Sequence, residues 1–262
     1  MKLGIVGLGV VGGTLLKYFQ EQQRDVVTYD TKGVGSLEGI AEADQIYVCV
    51  PTPSKEDGSC DTSIVEEVVA NVNKVKEGYK IVVVKSTIIP GTTERLQAQY
   101  PDLALIYNPE FLTQATAIQD MFYPERQILG YTLNSFGRVL EVIQQLPRAP
   151  FERFIPATVA EMTKYFCNTL YATKVVFANQ IYDLCQKLGI DYDSVKECAT
   201  TNNEYSGINH WDVLHKGYRG YGGSCLPKDS KALIALGDLL GVNLEVLKMV
   251  NKVNEDLLKQ HG

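Results

Sequence analysis

The run Tyr221-Gly222-Gly223-Ser224-Cys225-Leu226-Pro227-Lys228-Asp229 sets a thiol just after two glycines, where a ligand can approach it closely. A helix opened by Ser224 or Lys228 would favour the thiolate through its dipole. Asp229 follows four residues later, within reach as a hydrogen-bonding partner. At the other end of the chain, Gly7-Leu8-Gly9-Val10-Val11-Gly12 is a GxGxxG run directly after a short apolar stretch. In such a run the first glycine permits a tight turn, the second lets the backbone approach a pyrophosphate, and the third lets helix and strand pack closely. Amides at the helix N-terminus then hold phosphate oxygens. Asp30 comes about 18 residues after Gly12, where a carboxylate accepts hydrogen bonds from ribose hydroxyls and repels a 2′-phosphate. The pair predicts a dinucleotide site for NAD rather than NADP.

The elements that must position these residues divide the chain in two. Strands are expected at 2–6, 25–30, 45–50, 81–85, 103–107 and 127–131, and helices at 10–22, 63–76, 91–99 and 134–145, with a short one near 37–42. Short β-rich runs alternating with helices predict an α/β unit, a Rossmann-type parallel sheet covered on both faces. From Thr158 to Leu188 the pattern is continuously helical, with Pro156 near its start and Gly189 just past its end. About 30 helical residues reach on the order of 45 Å, which suits a domain spine and a subunit interface. Helical patterns at 191–199 and 228–259 flank a polar, Gly-rich stretch from Asn202 to Gly223. The expected division is residues 1–151, an NAD-binding domain, and 152–262, an all-α domain built on the long helix and carrying Cys225.

Composition narrows the classes. The chain has 262 residues, 45% hydrophobic and 21% charged, as in soluble globular proteins, and 25 Lys and Arg against 31 Asp and Glu give a net charge of −6. An acidic chain without a long basic run argues against nucleic acid as a partner. No apolar stretch nears the roughly 20 residues of a membrane span. The apolar start is broken by glycines at strand-to-turn spacing, so it reads as structure rather than a signal peptide, and the protein as cytoplasmic. Six cysteines without a CxxC pair and three histidines without ligand spacing predict neither a disulfide framework nor a metal site. Cys49, Cys60, Cys167, Cys185 and Cys198 read as core or surface residues, and Tyr47, Tyr165 and Tyr171 as packing. His210, Trp211 and His215, before the Gly-rich motif, fit a loop anchor or a contact to a sugar or base.

Taken together, the motifs resemble a known family, the nucleotide-sugar dehydrogenases that act on UDP-glucose and GDP-mannose. Cys49-Val50-Pro51-Thr52-Pro53 with Asp57-Gly58 and Asp61, Lys85-Ser86-Thr87 with Pro90-Gly91-Thr92-Thr93, Asn108-Pro109-Glu110-Phe111-Leu112, and Gly222 to Asp229 are each similar to a family segment and stand in family order. Glu161, Lys164, Asn168, Lys174 and Asn179 fall at the family's helical spacing. The resemblance implies NAD-dependent oxidation of a nucleotide sugar, UDP-glucose to UDP-glucuronate by default, in a homodimer joined through helix 158–188. It implies that Cys225 traps an aldehyde as a thiohemiacetal that becomes a thioester. Lys164 and Asn168, four apart on one helical face, would stabilise an oxyanion, with Lys164 also a base. Asp229 would accept hydrogen bonds from Lys164 or water, Thr87 would position the hydrolytic water, and Glu110 would serve as acid/base, unless it is a structural acceptor after Pro109. Gly7, Gly9, Val10, Val11, Gly12, Asp30, Val50, Pro51, Thr52, Thr87 and Lys228 are expected to meet the cofactor. Glu110, Phe111, Leu112, Lys164, Asn168, Tyr221, Gly222 and Gly223 are expected to meet the substrate.

The sequence departs from that pattern in places. Family members carry a third, C-terminal domain that grips the nucleotide, so half of the expected substrate clamp is absent from these 262 residues. The stretch between Asp30 and Val48 is short. After Leu112 an acidic residue is expected, but Thr113-Gln114-Ala115 follows, and a glutamine orients water without taking its proton. No sugar-binding arginine is matched: Arg219 is close to the thiol motif, but its spacing is not diagnostic. Two other readings stand beside the first. A two-electron hydroxy-acid dehydrogenase would need Lys164 but not Cys225, and an NAD-binding subunit would need a partner to supply the missing domain.

Overall fold

The computed structural model describes residues 1–76, 78–201, 210, 213–215 and 217–261. In chain order the elements are β1 (Lys2–Val6), α1 (Val10–Glu21), β2 (Asp25–Tyr29), α2 (Leu37–Ala41), β3 (Gln45–Val48), α3 (Ser63–Val75), β4 (Lys80–Val84), α4 (Thr92–Gln99), β5 (Leu103–Tyr107), α5 (Ala117–Phe122), β6 (Arg126–Tyr131), α6 (Val139–Ile143), β7 (Phe151–Pro156), α7 (Ala157–Leu188), α8 (Tyr192–Thr200), β8 (Leu214–His215), β9 (Tyr218–Arg219), α9 (Leu226–Leu240) and α10 (Glu245–His261). They fall into two compact units: Met1–Pro53 with Asp61–Lys164, and Ser54–Cys60 with Tyr165–Gly262.

The first unit is a seven-stranded sheet in the order β2-β1-β3-β4-β5-β6-β7. Its side chains separate by the strand period of two. Val6, Ile46, Val48, Val82, Val84, Leu103 and Leu105 share one buried cluster with Val65, Val69 and Val72 of α3 and Leu96 of α4. Leu3, Ile5, Tyr47, Ile81, Val83 and Ile106 share the other with Leu15 and Phe19 of α1, Met121 of α5 and Val142 of α6. β4 and β5 are buried along their whole length, which is why they read as unbroken apolar runs. Gly130 sits where the start of α7 crosses β6: a Cβ there would lie 2.7 Å from that of Ala160 and 2.9 Å from the Ala157 Cα.

Three features differ from the sequence expectation. The sheet is not wholly parallel, because β5 and β6 run antiparallel. The connection through α5 stays at the end of the sheet where β5 finishes, so the next strand returns the other way. Residues 152–156, placed by the expected division in the all-α domain, join Phe151 in β7, which pairs in parallel with β6. This edge strand is largely exposed and ends in Pro156, so it carries no apolar alternation to betray it. The helical pattern over 228–259 is two helices: α9 ends at Gly241, whose φ of 69° lets the Val242 N–H reach back to the Gly237 carbonyl at 2.8 Å.

The second unit packs Ala172, Val175 and Val176 of α7 against Tyr221, Leu226 of α9 and Val250 of α10. Asn254 of α10 fixes Tyr221 on both sides of its peptide, accepting from its N–H at 2.6 Å and donating to its carbonyl at 2.9 Å. Tyr47 and Tyr165 are buried as expected of packing residues. Tyr171 stacks on His210 with ring centroids 4.1 Å apart, and Trp211 lies outside the described residues.

Candidate active site

The strand order reverses between β1 and β3, and the loops that follow these two strands meet there. Gly7 has φ +89°, and a Cβ on it would lie 2.7 Å from the Cys49 carbonyl oxygen. A Cβ on Gly12 would run into the Gly7 carbonyl, whereas Gly9 has nothing within 4 Å of the position its Cβ would take. The first and third glycines therefore pack the turn, and the second leaves it open to a ligand. Val10 opens α1 and Val11 follows it, so the helix-end amides are presented here. The Asp30 carboxylate accepts from the Leu8 N–H at 2.7 Å and the Lys32 N–H at 2.9 Å. These two bonds hold its carboxyl below the ordinary value. A tight turn, an open second glycine and an ionised carboxylate at the end of β2 fit the pyrophosphate and ribose diol of NAD.

The neighbouring loops are laced to one another. The Ser86 hydroxyl donates to the Val50 carbonyl at 2.7 Å, and the Thr52 hydroxyl donates to the Thr87 carbonyl at 2.7 Å. Thr52 is buried and Pro51 exposed. Of the residues expected at the cofactor, those from Gly7 to Thr87 are thus gathered at the carboxyl ends of β1 to β4.

Lys164 lies on the first turns of α7 and is 5% exposed. Its ammonium donates to the Glu110 carbonyl at 2.7 Å and to the Glu110 carboxylate at 2.9 Å. The second carboxylate oxygen accepts from the Leu112 N–H at 2.7 Å. Burial pushes the Glu110 carboxyl up, but Lys164 and the Leu112 amide outweigh it and hold it below its ordinary value. Phe111 lies between two cations, with the Lys164 ammonium 5.6 Å and the Arg126 guanidinium 4.6 Å from its ring centroid. Glu161, one turn earlier on α7, caps α4: it accepts from the Gly91 N–H at 2.6 Å, and from the Thr93 N–H and hydroxyl at 2.8 and 2.6 Å.

In the second unit Cys225 is itself the residue that opens α9, in place of the expected Ser224 or Lys228, because Pro227 follows at the helix start. It is exposed, and its sulfur lies 3.6 Å from the Ser224 hydroxyl. Asp229, 1% exposed, returns its backbone N–H to the Cys225 carbonyl at 2.9 Å. Its carboxylate accepts from Asn168 and from Lys228, each at 2.5 Å. Asp229 thus meets Asn168 and Lys228, while the Lys164 ammonium meets Glu110. Lys228, expected at the cofactor, is found on Asp229. Tyr221 is buried, Gly222 half-buried and Gly223 exposed. Arg219 holds the Asn179 side chain at 2.9 Å and Asp183 at 2.8 Å. Gln114 is exposed in the turn before α5.

Sequence reasoning gave no role to Lys85, which is buried and donates to the Asn108 side chain at 2.5 Å. A lysine closing an unbroken apolar strand was the available signal. Among the described residues no helix is long and apolar enough to cross a membrane, and no group of three His, Cys, Asp or Glu side chains could hold a metal.

Comparison with known proteins places this geometry. Residues 34–146 match the NAD binding domain of the UDP-glucose/GDP-mannose dehydrogenase family, and residues 158–256 match its central domain. A UDP-glucose 6-dehydrogenase of Bacillus subtilis is 32% identical over 229 residues, 84% of this chain and 50% of the relative. A GDP-mannose 6-dehydrogenase of Pseudomonas aeruginosa is 30% identical over 307 residues, 99% of this chain and 70% of the relative. The structure of a UDP-glucose dehydrogenase from the hyperthermophilic archaeon Pyrobaculum islandicum superposes with a TM-score of 0.85 at 30% identity, covering 97% of this chain and 68% of that one. The chain thus spans from 50% to 70% of the length of these proteins. With an open glycine turn and carboxylate suited to NAD, and both domain models matched in order, the chain belongs to the UDP-glucose/GDP-mannose dehydrogenase family.

Proposed function

We propose that the protein oxidises the primary alcohol of a nucleotide sugar to a carboxylate in two steps, with UDP-glucose converted to UDP-glucuronate. The observation that carries this reading is the head of α9: an exposed Cys225, and one turn on a buried Asp229 held by Asn168. A two-electron dehydrogenase would have no use for that thiol. NAD, when bound, supplies the acceptor for the hydride lost in each of the two oxidations. Lys164 takes the hydroxyl proton as the alcohol becomes an aldehyde. The Cys225 sulfur adds to the aldehyde carbon, and the thiohemiacetal keeps a hydrogen that can leave as the second hydride. Asn168 and Lys164 donate to the oxygen that carries negative charge. Water then adds to the thioester, the carbon–sulfur bond breaks, and the acid leaves with the thiol restored. Thr87 orients that water. Gln114 cannot take its proton, so this falls to Asp229 or Glu110.

The same reading pairs two copies along α7. Phe166, Leu170, Phe177, Leu184 and Leu188 recur on that helix, and each is at least 44% exposed. It also sets the enzyme in the cytoplasm, acting on a soluble sugar. The test is to incubate the purified protein with NAD and a panel of nucleotide sugars and count NADH per sugar consumed. Two NADH per sugar acid with UDP-glucose is the expected result. NAD binding without NADH from any sugar would overturn the reading. Sedimentation at micromolar concentration should give a dimer, and a monomer would remove the pairing.

A further inference from the structure

Lys85 takes no part in the reaction proposed above, yet it is one of the most deeply buried charges in the first unit. It follows β4 and is 4% exposed. Its ammonium donates to the Asn108 side-chain oxygen at 2.5 Å. The Asn108 amide in turn donates to the Ile128 carbonyl at 2.9 Å and to the Gln127 side chain at 3.3 Å. Two residues further on, Glu110 receives the Lys164 ammonium through both its carbonyl and its carboxylate. Two buried lysines, one at the end of a strand and one on α7, therefore grip the two ends of a single three-residue segment, Asn108–Glu110.

Burying an ammonium costs far more than burying a neutral amide, and a glutamine could also donate to Asn108. The positive charge itself therefore calls for a role. The titratable groups that act on Lys85 are Cys49 at the end of β3, Glu110 after β5 and Lys164 on α7. Burial is the largest effect and holds the Lys85 ammonium below its ordinary value; Cys49 and Glu110 favour its charged form, and Lys164 opposes it as a like charge. The last effect is mutual.

We propose that Lys85 is a positioning residue for Lys164: through Asn108 it fixes the segment that receives the Lys164 ammonium, and it acts as a second cation on the same Glu110 carboxylate. This rests on the reading of Lys164 as the base. Glu110, between the two cations, stays ionised and keeps Lys164 aimed, while Lys85 offsets the hold that Glu110 has on the Lys164 proton.

The test compares the parent chain with Lys85→Gln, which keeps a donor for Asn108 but not the charge, and with Lys85→Arg, which keeps the charge. With NAD and UDP-glucose, the pH at which kcat reaches half its plateau should move alkaline by about one unit in Lys85→Gln. Activity at pH 7 should fall about tenfold and recover as pH rises. Lys85→Arg should follow the parent. A purely structural role would lower kcat equally at every pH. A second readout needs no turnover: the 13C shift of the Lys164 ε-carbon, assigned by its loss in Lys164→Met, titrated against pH. Its midpoint should rise in Lys85→Gln and not in Lys85→Arg. An unchanged or lower midpoint in folded Lys85→Gln overturns the proposal. If the parent makes no NADH while the Lys164 midpoint still moves, the proposed reaction has failed and the coupling of the two lysines stands. If Lys85→Gln does not fold, an alkaline shift of the Lys164 midpoint in Lys85→Arg overturns the proposal, and an unmoved or acidic one upholds it.

Discussion

Both units bury a carboxylate against a lysine, and they build the pair in opposite ways. In the first, Glu110 and Lys164 are 54 residues apart and meet only because the loop after β5 and the start of α7 are both fixed by the sheet. In the second, Lys228 and Asp229 are neighbours on the first turn of α9, and only Asn168 comes from afar. The first arrangement depends on the fold to exist at all. The second is nearly complete in nine residues of chain. Where a site is assembled from strand ends, losing one partner disturbs the fold as well as the chemistry, whereas a group carried on one helix turn can lose its reacting atom with the fold intact.

The largest expected effect tests the second half of that contrast. Cys225→Ala should abolish formation of the sugar acid, by on the order of a thousandfold or more, while NAD affinity and unfolding midpoint stay at parental values. Acid production at the parental rate would end the covalent scheme. The first half predicts the reverse balance for Lys164→Ala. It leaves the Glu110 carboxylate buried without its cation, so denaturant unfolding should show a loss of about 3–5 kcal/mol alongside lost turnover. A stable, inactive Lys164→Ala would mean that the two regions are built more alike than their geometry suggests.

A smaller effect sharpens the contrast through pH. Burial pushes the Glu161 carboxyl up from 4.5 to about 7, against the three donors at the start of α4. A carboxyl with a raised folded value contributes stability that is full below its unfolded value and lost as pH rises through the folded one. The parent should therefore lose up to about 3 kcal/mol from this group between pH 4.5 and 8. Glu161→Gln should flatten that part of the urea-midpoint profile, and equal slopes in the two proteins would count against it. The mildest prediction concerns Asp30→Ala, which removes the acceptor for the Leu8 amide and the carboxylate expected to receive a ribose. NAD affinity measured by calorimetry should weaken about tenfold, and discrimination against NADP should relax.

The same contrast explains what could be read from the sequence. The thiol run and the glycine run are contiguous, so residue types and spacing carried both, and the strand periods announced the central sheet. The bonds from Glu110 to Lys164 were not legible, because helical spacing sets Lys164 beside Asn168 but says nothing of which loop reaches either side chain. Glu110 was singled out after Pro109 as acid/base or structural acceptor, and in the fold it accepts from the Leu112 amide. Lys85 went without a role because a lysine at a strand end usually marks the surface, and only the packing of β3, β5 and α7 makes it a buried charge. β7 escaped because an exposed edge strand needs no alternation, and the β8–β9 pair because two-residue strands leave no period to detect.

The turn after β1 has a kinetic meaning as well. Its Gly7 N–H is bonded to the Tyr29 carbonyl at 2.8 Å, and its Leu8 N–H to the Asp30 carboxylate. A loop tied at successive amides to the neighbouring strand surrenders little freedom when a dinucleotide arrives, so ordering entropy takes little from the affinity. Association should then be a single second-order step, without the slow phase of a loop that must first find its shape.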